Sequence, residues 1–77
     1  MLRVFILINT EIGETMSVTR WLREVPGVRS ADAVIGPYHV IVEAEAPDPQ
    51  ALSKLILSEV RTIPGVVETL TLLALEA

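Results

Sequence analysis

Two short stretches hold the residues whose chemistry could serve a ligand. Gly36, Tyr38 and His39 put a turn, a phenol and the single imidazole of the chain side by side. Thr69 and Thr71 alternate within a run of strand-forming residues, so their hydroxyls point to the same face of the predicted strand. Hydroxyls and phenols donate and accept hydrogen bonds, which orients small polar ligands. The same residue types are ordinary turn and strand formers, and the pattern alone allows either role.

Catalytic and metal-binding motifs are missing from the sequence. The chain has no Cys and one His, which excludes a Cys–His pair and a multi-His metal site within one chain. Glycine-rich nucleotide loops are also absent. A lone His at the start of a strand is more often a surface residue than a base. We therefore expect no catalytic residue, no metal and no cofactor.

Length, charge and hydropathy exclude several classes of protein. The chain has 77 residues, a net charge of −4 and 51% hydrophobic residues, which suits one small domain over residues 1–77. The acidic balance disfavours contacts with phosphate groups, so we expect no direct nucleic-acid binding. No apolar run approaches the roughly 20 residues of a membrane span, and Val4 to Ile8 is shorter than the core of a signal peptide. We expect a mature cytoplasmic protein without membrane contact.

The hydrophobic pattern predicts the elements that must position these residues. Val4 to Ile8 is β-branched and aromatic, typical of a strand, and Val18, Leu22 and Val25 form one stripe of a helix that Thr15 or Ser17 could cap. The later patterns predict two strands, a second helix and a last strand, which cover Val28 to Ile35, Tyr38 to Ala46, Asp48 to Ile63 and Val66 to Leu75.

An internal echo supports the element order βαββαβ. The turn Val25-Pro26-Gly27-Val28 recurs as Ile63-Pro64-Gly65-Val66. Two such halves describe an α+β, ferredoxin-like sandwich, a four-stranded antiparallel sheet with two helices on one face. The first and last strands carry apolar residues on both faces, and the helices can cover only one face of the sheet. We expect a second copy of the chain to cover the other.

With these residues in view, the chain resembles the effector-binding (RAM) domain of Lrp/AsnC transcription regulators over nearly its whole length. The likeness rests on four successive stretches: Val28 to Val34, Gly36-x-Tyr38, Val40-Ile41-Val42-Glu43 and Ile63-Pro64-Gly65-Val66-x-x-Thr69-x-Thr71-Leu72. The resemblance implies dimers that assemble to tetramers or octamers. It also implies an amino acid or related metabolite bound between dimers, at positions that map onto Gly36, Tyr38, His39, Thr69 and Thr71.

The chain departs from the family pattern at two points. It begins at the first strand, whereas the regulators carry a DNA-binding helix-turn-helix domain before that strand. It therefore resembles a stand-alone RAM protein, which would influence transcription by joining a full-length Lrp/AsnC regulator. His39 stands where the family often has an Asp, and an imidazole receives an α-ammonium group poorly.

Three functions remain open at this stage. The first is a non-catalytic, oligomeric sensor of an amino acid or related metabolite. The second is a small enzyme of the dimeric α+β barrel kind, a cofactor-free oxygenase or isomerase with His39 as base. The third is an ACT-type regulatory module attached to a metabolic enzyme. A deep pocket inside one subunit would favour the enzyme, and a cavity at a boundary between dimers would favour the sensor.

Overall fold

The computed structural model describes residues 1–76 and has the predicted element order. The strands lie in the order β2-β3-β1-β4, and each neighbouring pair is antiparallel. The strands are β1 (Leu2–Thr10), β2 (Val28–Ala33), β3 (Val40–Ala46) and β4 (Val66–Leu73). The helices are α1 (Thr15–Leu22) and α2 (Pro49–Lys54), and α2 continues as a π-helical segment, Leu55–Val60. The ferredoxin-like α+β fold is confirmed.

One face of the sheet carries the hydrophobic core. Along β1, Val4, Ile6 and Ile8 are fully buried, while the residues between them are only partly covered. Both helical segments contribute to the same buried cluster, through Val18, Leu22, Leu55 and Val60. Both helices therefore cover this face, as the sequence predicts. No helix of the described residues is long and apolar enough to cross a membrane.

The other side of the sheet, which we call the open face, has an apolar centre. Leu7 lies opposite Ile41 of β3 and Leu70 of β4, and Phe5 lies opposite Leu72. Leu70 and Leu72 are 44% and 47% exposed. Large aliphatic side chains gathered on one exposed patch are typical of an interaction surface.

Polar side chains surround this apolar centre and are paired with each other. The guanidinium of Arg3 donates to Glu43 at 2.7 Å and lies 4.8 Å from the ring centre of Phe5. Asn9 donates to Glu68 at 3.0 Å near the other end of the sheet. An apolar centre inside a polar rim is the usual anatomy of a protein–protein interface.

The repeated Pro-Gly turns join each helix to the following strand. Gly27 and Gly65 have φ of +97° and +96°, a region that side-chain-bearing residues rarely adopt. A Cβ on Gly65 would lie 2.9 Å from the Cβ of Glu14 and 3.0 Å from Val18. The second turn therefore packs against the start of α1. It requires glycine for two reasons, the positive φ and the short distance between this turn and α1.

Several predicted boundaries differ from the structure. β2 ends at Ala33, β3 begins at Val40 and β4 ends at Leu73, each shorter than predicted. The residue before the first turn of α1 is Glu14 and makes no side-chain cap, so the expected cap by Thr15 or Ser17 is wrong. Instead, the hydroxyl of Ser17 donates to the Glu14 carboxylate at 2.9 Å.

Candidate functional site

The loop between β2 and β3 carries the first group of predicted site residues. It is closed at its base, because the N–H of Val34 donates to the carbonyl of His39 at 2.9 Å. The N–H of His39 donates to the carbonyl of Ile8 at 2.9 Å, which ties the loop to β1. Gly36 is exposed at the tip, and Tyr38 and His39 are half-buried. The loop thus presents a phenol and an imidazole from a fixed base.

The imidazole of His39 is held by the last residue of β1. Its Nδ1 accepts the backbone N–H of Thr10 at 2.9 Å and lies 3.3 Å from the Thr10 hydroxyl. That hydroxyl lies 2.8 Å from the hydroxyl of Thr15, at the start of α1. The ring therefore joins the β2–β3 loop, the end of β1 and the start of α1.

This position differs from the prediction for His39. The alternation predicts His39 as a strand residue on the face of Ile41 and Glu43, whereas β3 begins only at Val40 and the ring lies against Thr10. A backbone N–H can only donate, so Nδ1 is the acceptor, and the neutral ring carries its proton on Nε2.

Thr10 and Thr15 are site-supporting residues that the sequence analysis missed. Thr10 continues the inward alternation of Val4, Ile6 and Ile8, and it is 6% exposed. A hydroxyl at an inward strand position needs a partner. The inward position of Thr10 therefore indicated a polar contact there, although the sequence did not identify His39 as the partner.

The second group of predicted residues lies on β4, at the edge of the sheet. Thr69 is opposite Ile8, and Thr71 is opposite Ile6. Opposite residues of antiparallel strands share a face, so both hydroxyls lie on the face that the helices cover, and both threonines are half-buried. They point to one face as predicted.

The two groups lie on opposite sides of β1. Ile8 is opposite both Val40 and Thr69, which separates the loop from Thr69 by two strand spacings, roughly 10 Å. No hydrogen bond among residues 1–76 links the loop residues to either threonine. The structure places the two groups toward the same end of the sheet without joining them in one chain.

Two cavities among residues 1–76 lie away from these groups. One, of about 220 Å³, runs along the edge of β2, where Arg23 of the α1 end donates to the carbonyl of Ala31 at 2.9 Å. The other, of about 280 Å³, is lined by Pro26, Ala51, Lys54, Leu55 and Glu59. Neither cavity includes a predicted site residue.

Acidic and imidazole side chains are dispersed over the part of the chain that the structure describes. Within residues 1–76, no three His, Asp or Glu side chains stand close enough to hold a metal ion. The ion pairs of the sheet are Arg3–Glu43, Arg23–Asp32 and Arg29–Glu45. None of them involves a predicted site residue. The predicted site residues thus offer a phenol, an imidazole and two hydroxyls, and no carboxylate.

The family model for the Lrp/AsnC ligand-binding domain matches residues 3–77 of the chain. The chain belongs to this family. The resemblance drawn from the sequence is therefore confirmed, and the family is one of ligand-binding domains.

Curated relatives carry this domain as a small part of an enzyme. The chain is 40% identical over 62 residues to the homocitrate synthase of Sulfurisphaera tokodaii, which covers 80% of this chain and 13% of the synthase. The homocitrate synthase of Sulfolobus acidocaldarius matches over the same shares, also at 40% identity. The chain thus spans about an eighth of the length of these relatives.

Solved structures share the whole fold. A protein of Thermus thermophilus superposes with a TM-score of 0.93 at 27% identity, over 100% of this chain and 96% of the other. A hypothetical protein of Pyrococcus horikoshii gives 0.91 at 32% identity, over 96% of this chain and 89% of its own. A transcriptional regulator of Neisseria meningitidis, solved with L-Met, gives 0.87 at 22% identity, over 97% of this chain and 50% of its own. At that identity the last likeness concerns the fold alone.

Proposed function

We propose that this chain is a non-catalytic sensor that binds an amino acid or a related small metabolite between subunits. The observation that carries the proposal is the match of residues 3–77 to a ligand-binding domain family. The proposed contacts are Gly36, Tyr38 and His39 of the loop together with Thr69 and Thr71 of β4. A regulator of the same fold was solved with L-Met, which makes amino acids the first ligands to test.

The geometry of one chain supports a site shared between subunits. The two groups of polar residues lie on opposite sides of β1, and neither of the two cavities described above reaches them. A second subunit would supply the missing wall, because ligand sites need concave surroundings. Residues 1–77 act as one RAM-like domain in this proposal.

The assembly begins with a dimer through the open face. Its centre of Leu7, Ile41 and Leu70 is apolar, and the polar side chains of its rim are hydrogen-bonded to each other, so a second copy can cover the centre while the rim stays at the edge of the interface. Dimers then associate into tetramers or octamers and create the ligand site at their boundary. The protein acts in the cytoplasm on a full-length Lrp/AsnC regulator. It does not act on DNA directly, because its net charge of −4 disfavours contact with nucleic acid.

Catalysis by His39 has little support. One ring nitrogen is already engaged by the backbone of Thr10 at 2.9 Å, and neither cavity holds the ring. A general base needs a free acceptor nitrogen within reach of a bound substrate. We therefore propose that the chain is not an enzyme.

The homocitrate synthase relatives favour a second candidate, an ACT-type regulatory module for a metabolic enzyme. Their copies of this domain are attached to a synthase of which the chain covers only 13%. A free copy would then act on the enzyme rather than on transcription. Mixing this chain with the synthase of Sulfurisphaera tokodaii tests this candidate. We expect a complex by light scattering and a changed activity of the synthase. Separate species and an unchanged rate of the synthase would contradict the candidate.

A thermal-shift screen of the proteinogenic amino acids, run with a mass measurement in solution, tests the sensor. At least one amino acid or related metabolite should raise the melting temperature in a concentration-dependent way, and the mass should be a multiple of the dimer. A monomer of 8.4 kDa that no such ligand stabilises would contradict the proposal.

A further inference from the structure

We propose that the sensor site recognises its effector by a carboxylate that accepts a hydrogen bond from Nε2 of His39. The effector class is then a carboxylic acid that needs no α-ammonium group, and 2-oxo acids belong to it. This inference rests on the proposed function, because it names the ligand class of that same site.

The hydrogen bond between Thr10 and His39 decides what the ring can offer. The Thr10 N–H donates to Nδ1 at 2.9 Å, and Thr10 is only 6% exposed, so water cannot readily take the place of the imidazole. The lone pair of Nδ1 is thereby used, and the remaining proton of the neutral ring sits on Nε2. Among residues 1–76, His39 makes its side-chain bonds through Nδ1, which leaves Nε2–H for a ligand.

A donor of this kind discriminates between the two ends of an amino acid. A carboxylate accepts from Nε2–H, and hydrogen bonds to an ionised group are the stronger ones. An ammonium group has only protons to offer and would face another proton at Nε2. Tyr38, Thr69 and Thr71 are neutral, so none of them supplies a negative charge for an ammonium group.

Two carboxylates on the neighbouring elements already accept a hydrogen bond from another side chain. Glu14 accepts from the Ser17 hydroxyl at 2.9 Å. Glu68 accepts from Asn9 at 3.0 Å and lies on the open face, away from the threonines. Glu11 is exposed in the turn after β1, and it is the carboxylate that the experiment must test as a rival.

The test is isothermal titration calorimetry of the intact oligomer in mildly alkaline buffer. The probes are leucine, methionine and phenylalanine, each compared with the 2-oxo acid and the amine of the same side chain, so that each amine lacks a carboxylate. In the series that binds, we expect the 2-oxo acid to bind at least as tightly as the amino acid. We expect the amine to bind about tenfold more weakly or worse, because it leaves Nε2–H without an acceptor.

Two variants separate ligand recognition from support of the loop. His39→Asn keeps an acceptor at the position of Nδ1 for the Thr10 N–H but removes the donor at Nε2, so carboxylate binding should weaken by about tenfold while the melting temperature of the free protein stays close to the parent. Glu11→Gln removes the rival carboxylate and should leave the preference between amino acid and 2-oxo acid unchanged.

Two results would overturn the proposal in distinguishable ways. If amino acids bind, Thr71→Val weakens them, and their 2-oxo acids do not bind, the site is right and recognition by carboxylate alone is wrong. If neither His39→Asn nor Thr71→Val changes the affinity for the ligand, the proposed site itself is wrong. The inference is then rejected together with the site.

Discussion

At the scale of single residues, the buried end of β1 depends on a side chain from another part of the chain. The N–H of Thr10 donates to the imidazole of His39, 29 residues further on. A buried donor without a partner costs more than a made hydrogen bond contributes. His39 therefore has a structural role whatever it binds.

Replacing His39 by Phe should destabilise the protein, because the ring is kept and the acceptor for Thr10 N–H is lost. We expect a loss of about 1–3 kcal/mol in the free energy of unfolding, measured by urea denaturation at fixed protein concentration. His39→Asn is the matched control, since its side-chain oxygen can replace Nδ1. Equal stability of the Phe and Asn variants would contradict the role of this bond.

Thr71 is the residue whose hydroxyl can be removed with least change of shape. Thr71→Val should weaken binding of the effector by about 1–3 kcal/mol, because a ligand group loses its partner, with the oligomer unchanged. Calorimetry measures the change, and Thr62→Val serves as the control, since the Thr62 hydroxyl bonds only the carbonyl of Ser58 on the second helix. Equal affinities of the two variants would place the ligand elsewhere.

At the scale of elements, the turns between helices and strands set how the two halves pack. A Cβ at Gly65 would collide with Glu14 and Val18 of the first half, and the N–H of Glu11 donates to the carbonyl of Gly65 at 2.8 Å. The turn that ends the second helix is thereby joined to the turn that begins the first. The recurrence of Pro-Gly reflects this packing requirement as well as the end of a helix.

Gly65→Ala should destabilise the protein more than Gly13→Ala does. Both glycines have a positive φ, +96° and +84°, but a Cβ on Gly13 meets nothing within 4 Å, whereas one on Gly65 meets α1. The backbone angle costs each variant about 1–2 kcal/mol, and crowding adds about 1–3 kcal/mol at Gly65. Thermal or urea unfolding of both variants measures the difference, and equal losses would show that α1 gives way.

At the scale of the whole molecule, the open face must be covered for the proposed sensor to work. Its centre joins three strands through Ile41, Leu7 and Leu70. Since the helices cover only the opposite face, one chain cannot remove these side chains from water. A second copy can, because the surface is apolar in the middle and polar at the rim.

Leu7→Asp should dissociate the oligomer, because it would bury an unpaired charge at the centre of the dimer. We expect the dissociation constant to rise by at least about a hundredfold, as measured by light scattering over a dilution series. Leu57→Asp is the control, since Leu57 is 53% exposed on the second helix, away from the sheet. An unchanged mass for Leu7→Asp would show that the subunits meet through another surface.

The periodicity of the sequence was sufficient for the element order, and the motifs resembling those of Lrp/AsnC domains were sufficient for the family. Strand alternation and helical stripes are local, since each residue faces inward or outward according to its neighbours along the chain. The ends of elements were predicted less accurately. The alternation assigns Tyr38 to β3, whereas the structure leaves it in the loop. The sequence also did not predict the π-helical segment Leu55–Val60. So short a stretch has too few turns for the spacing of its residues to distinguish a π-helix from an α-helix.

The sequence by itself determined which side chains the proposed site contains, namely a phenol, an imidazole and two hydroxyls at positions that map onto the family's ligand site by resemblance. Only the tertiary structure decided how the imidazole is used, because the Thr10 bond to Nδ1 joins residues far apart in the chain. It also decided that the loop and Thr69 lie on opposite sides of β1, since strand order follows from long-range pairing that local spacing does not encode. Donor character at Nε2 and the separation of the two groups are therefore properties of the folded sheet.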